Sequence, residues 1–106
     1  MYTSCDEVFK LTIPAVRISV AKVLKRKYGM NQLEIARALG ITQAAASKYL
    51  SGRHSAKIIK LEKLIHSKKL DDQVATEIKK DRRSASKRFD ELASSGFLVS
   101  NAMKIL

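Results

Sequence analysis

Apolar residues recur every three or four positions along this chain, and no stretch alternates convincingly between polar and apolar. That spacing is the helical one, so the expected fold class is all-α. Ser4 followed by Glu7 has the form of a capping box, with Val8, Phe9 and Leu11 beginning a helix behind it. Pro14 lacks an N–H and disfavours helical geometry at Ile13, so the helix is expected to kink there or to restart with Pro14 in its first turn. Val16, Val20, Val23, Leu24 and Tyr28 then continue at helical spacing. Lys25, Arg26 and Lys27 crowd the last turn, where cations suit the helix dipole, and Gly29 is the expected stop.

Asn31 with Glu34 is a second cap signature, predicting a short helix to about Leu39 that Gly40 breaks. Thr42 can cap the next, which runs through Ala44, Ala45 and Ala46 to Leu50 and ends at Ser51-Gly52. Ser55 caps a fourth, carrying Ile58, Leu61, Leu64 and Ile65. Asp71 and Asp72 start a longer one, with Val74, Ile78, Ala85, Phe89 and Leu92 as a thin apolar seam. Gly96 interrupts it, and Phe97, Leu98, Val99, Met103, Ile105 and Leu106 make an apolar end.

Composition narrows this picture. A chain of 106 residues with 45% hydrophobic content fits one domain, or a small domain with an extension. No Trp, one Pro and four Gly argue against a sandwich or barrel, which needs frequent turn residues. No apolar run approaches the ~18 residues of a membrane span, and the first residues lack the order of a signal peptide. The single cysteine, Cys5, excludes an internal disulfide and a multi-Cys zinc site, and is expected to be a small apolar packing residue. The expected location is the cytoplasm.

Charge changes the picture most. Twenty-one Lys and Arg against ten Asp and Glu give +11. Residues 1–31 carry +4, residues 32–56 carry +2 and residues 57–106 carry +5, so no basic tail can be detached. Nucleic acid is the commonest partner of such a surface, because neutralising phosphates releases counterions. An acidic membrane surface is the rival. The runs Lys25-Arg26-Lys27, Lys68-Lys69 and Lys79-Lys80 read individually as solvated faces. Arg82-Arg83 and Lys87-Arg88 are interleaved with Asp81, Asp90 and Glu91, as surface ion pairs are.

The stretch Gln32 to Gly52 has a mechanical reading. Ile35, Ala36 and Leu39 share one face of its first helix, and Ala36 is small where a second helix must cross closely. Gly40 permits a tight turn and Ile41 plugs the corner. Ala46, Tyr49 and Leu50 turn the second helix onto the same core. Its outer face is then Thr42, Gln43, Ala44, Ser47 and Lys48, short side chains that are neutral or cationic and suit a major groove.

This pattern, Gln-x-x-Ile-Ala-x-x-Leu-Gly-Ile-Thr-x-x-x-Ala-Ser-x-Tyr-Leu-x-Gly, resembles the helix-turn-helix of phage-repressor-like (XRE-type) regulators. The preceding stretch, from Cys5-Asp6 through Ile13-Pro14-Ala15-Val16-Arg17 to Lys27-Tyr28-Gly29, is similar to an archaeal group of them. The resemblance covers roughly residues 4–54. It implies that the helix after Thr42 is the recognition helix, with Thr42, Gln43, Ala44, Ser47 and Lys48 facing the bases. It implies phosphate contacts for Gln32, at the start of the first helix, and for the flanking Arg53 and Lys57. Gln43 can pair bidentately with adenine, and Ala44 can meet a thymine methyl.

His54 follows Arg53 and is a weaker candidate for a phosphate, while His66 reads as a helix-surface residue without a carboxylate partner at ligand spacing. No metal site or cofactor is implied, and no constellation for nucleophilic or acid-base catalysis stands out, so an enzyme is not expected. The expected organisation is a repressor-like helix-turn-helix domain over residues 1–69 and a helical extension over 70–106. Because a single helix-turn-helix buries little DNA surface, and the apolar end would be costly exposed on a monomer, the extension is expected to form a homodimer. Folding back onto the core is the alternative for those residues. The expected function is a sequence-specific regulator of transcription that binds duplex DNA at an operator; an effector is left open. Its rivals are an architectural, sequence-tolerant DNA-binding protein and an antitoxin-like interaction module. RNA binding is disfavoured by the scarcity of aromatic stacking surfaces.

Overall fold

Four side chains open four helices by the same device. Asn31 Oδ1 accepts from the Glu34 N–H at 2.8 Å, Thr42 Oγ1 from Ala45 at 3.1 Å, Ser55 Oγ from Ile58 at 3.3 Å and Ser95 Oγ from Leu98 at 3.4 Å. Each satisfies one of the N–H groups that a helix leaves unpaired at its start. At Asn31 the box is complete, because Glu34 Oε1 accepts from the Asn31 N–H in return.

The computed structural model describes the backbone of residues 5–81 and 85–106 and the side chains of 7–81 and 87–106. Within them the elements are α1 (Cys5–Tyr28), α2 (Gln32–Leu39), α3 (Gln43–Leu50), α4 (Ala56–Ser67), α5 (Leu70–Lys80), α6 (Ala85–Ala93) and α7 (Gly96–Ile105). Among the described residues there is no strand, so the chain is all-α. The expected Ser4 cap, the Arg82-Arg83 pair and the side chains of Cys5 and Ala85 lie outside the described residues.

α1 runs unbroken through Pro14. The turn that loses its hydrogen bond there is the one carrying exposed Lys10, where water can take the carbonyl. From Ala15 to Leu24 only Arg17 and Lys22 are not fully buried. A helix apolar on every side must be enclosed by others, and α1 touches each of the other six. It ends at Gly29, whose φ of 64° lets the Met30 N–H reach back to the Leu24 carbonyl at 3.3 Å, and Met30 tucks into the core behind it.

The long helix expected from Asp71 onward is two helices. Backbone at Asp81 is extended, with φ −150° and ψ 107°, and α5 stops there. The seam is real but turns inward: Val74, Ile78 and Phe89 are buried in the same hydrophobic cluster as Ile35, Ala36, Ala46, Leu61 and Ile65. Leu98 and Ala102 of α7 join it. The apolar end thus folds back onto α1 and α4, and the core runs without a gap across residues 69–70. On α7 and at its C-cap, Met103 at 52% and Leu106 at 44% are the large apolar side chains still exposed.

Polar ties between helices are few and placed at the core's margin. Lys22 Nζ lies 2.6 Å from Glu62 Oε1, joining α1 to α4. Ser19 Oγ donates to Asp71 Oδ2 at 2.7 Å, and His66 Nδ1 donates to the same oxygen at 2.9 Å. His66 therefore does have a carboxylate partner, five residues on, across the α4–α5 junction. Arg88 bridges Glu77 on α5 and Glu91 on its own helix, the latter at 2.7 Å.

Candidate nucleic-acid interface

α2 packs against α3, and each turns a small residue into the shared core: Ala36 and Ala46 are buried, Ala46 at 0% exposure. Gly40 ends α2 in the left-handed region (φ 67°, ψ 35°), and the Ile41 N–H then reaches the Ala36 carbonyl at 2.9 Å. Ile41, Tyr49 and Leu50 are half-buried against the core. With that inner face fixed, Thr42, Gln43, Ala44, Ser47 and Lys48 are all exposed on α3. The five expected readers thus form one outward face.

Gln32, the first residue of α2, joins this face. Its Nε2 donates to Ser47 Oγ at 3.5 Å, across fifteen positions of sequence. Thr42 has a structural task as well, since its hydroxyl oxygen caps α3. Glu34 is the one carboxylate between residues 32 and 56, and its capping bond turns it onto the backbone. The outward face is therefore neutral or positive, as an approach to phosphates requires.

The turn leaving α3 is stitched to that helix. Ser51 Oγ donates to the Lys48 carbonyl at 2.7 Å and accepts from the Arg53 N–H at 3.2 Å. A ring nitrogen of His54 donates to the Tyr49 carbonyl at 3.1 Å. His54, a weaker phosphate candidate in the sequence, is thus a partly buried brace. Arg53 and Lys57 are exposed beside it, Lys57 in the first turn of α4 behind the Ser55 cap. The brace, made by a residue five positions away, was invisible to spacing alone.

Residues 20–66 match the family model described as helix-turn-helix. The segment is thus similar to a helix-turn-helix. Its span starts inside α1 and ends in α4, so the helix-turn-helix shares its first helix with α5, α6 and α7. No curated protein and no solved structure matches the chain. No helix among the described residues is long and apolar enough to cross a membrane. Among the described residues, too, no group of three His, Cys, Asp or Glu side chains is placed to hold a metal ion.

Proposed function

We propose that this protein is a sequence-specific regulator of transcription that binds duplex DNA as a homodimer at an operator. The observation that carries the reading is the outward face of α3. A braced helix presents Gln43, Ala44, Ser47 and Lys48 with no carboxylate among them, above the buried Ala36 and Ala46. Gln43 and Ser47 offer hydrogen bonds to base edges, Ala44 a methyl contact, and Lys48 a charge. Thr42 caps the helix and reaches the same groove. Gln32, Arg53 and Lys57 take phosphates on either side and fix the register.

Dimerisation draws on what the fold leaves over. Val99 and Met103 of α7 and Leu106 at its C-cap fall at positions i, i+4 and i+7, half-buried or exposed, on a helix whose one charged residue is Lys104. Such a weakly charged stripe is where two strongly basic chains repel least.

The test is selection of bound fragments from random duplex DNA at about 0.15–0.2 M salt, where non-specific phosphate binding weakens. An enriched inverted repeat is the expected result, and its half-site spacing measures the separation of the two α3 helices. Strong retention without enrichment would replace this reading with an architectural one, which the charge of +11 favours.

A further inference from the structure

Three basic runs that look unrelated in the sequence meet on one surface. Lys27 from the end of α1, Lys69 from the α4–α5 junction and Lys80 from the end of α5 line a single open depression of about 570 Å³. Tyr28 brings the helix ends together. Its ring centroid lies 5.6 Å from Lys27 Nζ and 5.4 Å from Lys79 Nζ, and its hydroxyl pairs with Thr76 Oγ1 at 3.3 Å. Two carboxylates face the depression, and both are engaged: Asp72 sits 3.7 Å from Lys27, and Glu77 binds Arg88. Three lysines therefore outweigh two carboxylates in the depression, a fourth, Lys79, lies on the Tyr28 ring, and Lys69, Lys79 and Lys80 are exposed.

Lys27, on the depression, is followed by Tyr28 and lies five positions before Gln32, one of the expected phosphate contacts. Tyr28 and Gln32 are four residues apart, so their Cα atoms are separated by at most about 15 Å. One DNA strand carries a charge every 3.4 Å of axis, so that distance spans about four nucleotides.

We propose that this basic depression is a second DNA contact, binding the phosphate backbone of duplex that flanks the bases read by α3. The proposal rests on the DNA-binding reading above. Its chemistry is charge without readout. The lysine ammonium groups are point charges on flexible stems, suited to phosphate oxygens and indifferent to base identity. Lys27 and Lys79 are held by the Tyr28 ring, so they meet the backbone partly ordered.

The experiment compares the full chain with a Lys69→Gln/Lys79→Gln/Lys80→Gln variant on two duplexes. One is trimmed to the selected site; the other extends it by about one helical turn on each side. Circular dichroism and a thermal melt check that the variant folds as the parent does. The parent is expected to bind the longer duplex more tightly and with a steeper salt dependence. The variant is expected to lose that advantage, its slope of log K against log salt falling by about 2–3 units on the long duplex and staying unchanged on the trimmed one. Equal slopes for both proteins on the long duplex would overturn the proposal while leaving the α3 reading intact. A parent that binds no duplex at all would overturn both. A variant that keeps its DNA affinity and loses binding to vesicles of phosphatidylserine and phosphatidylcholine would assign the depression to an acidic membrane surface, and overturn it too.

Discussion

Ser19 and Asp71, fifty-two positions apart, are joined by a buried hydrogen bond of 2.7 Å. Asp71 is 1% exposed, and its second oxygen accepts from the Asp72 N–H at 2.8 Å. The carboxylate has been taken out of water and repaid with donors from α1, α4 and α5. Replacing Ser19 with Ala removes one donor and leaves a buried charge short of a partner. We expect a loss of about 1–3 kcal/mol in urea unfolding. A variant as stable as the parent would mean that the His66 and backbone contacts suffice alone.

Gln43 and Arg53 should separate readout from attachment. Gln43→Ala is expected to cost about 1–3 kcal/mol on the selected site and to relax one base position. Arg53→Ala should weaken all sequences alike and flatten the salt slope by about one unit. Equal losses for both variants on selected and random duplex would remove α3 as the reading helix.

Gly40 carries a φ of 67°, and a Cβ built on it meets nothing within 4 Å. The cost of Gly40→Ala is then backbone strain without a clash, about 1–2 kcal/mol. Gly40→Asn should recover part of that, since Asn tolerates this region better. A melting series over the three residues checks the order Gly, Asn, Ala.

Lys69 is the one non-glycine with positive φ among the described residues, at 56°. It links α4 to α5 with no side-chain cap of its own. Lys69→Gly should therefore stabilise the fold, by about 0.5–1 kcal/mol after the extra chain entropy of glycine is charged against the relieved strain. A lower midpoint in denaturant would show that the lysine side chain supports the junction.

Local chemistry made the helix-turn-helix legible. Asn31, Glu34, Thr42, Ser55 and Gly40 act within four residues of themselves, so their roles can be read in order along the chain. The face of α3 followed, because burial of Ala46 leaves only one way to turn the helix. The C-terminal part was less legible for two reasons. The break at Asp81 has no Gly or Pro beside it, so the apolar spacing carries straight through. Gly96 read as an interruption, although it is the first residue of α7, and the Ser95 cap before it went unread. Contacts such as Ser19 to Asp71, or Lys27 beside Lys69 and Lys80, depend on how helices pack and leave no trace in spacing.

The central position of α1 has a consequence for the chain's history on the ribosome. α1 leaves the exit tunnel before the six helices that enclose it, and its last partner, α7, begins only at Gly96. At ordinary elongation rates of about 5–20 residues per second, the interval is roughly 3–14 s. For that time a helix built to be enclosed on every side has too few neighbours. Nascent chains stalled before α7 should therefore be sticky and protease-sensitive, and holdase chaperones should favour them over the finished protein.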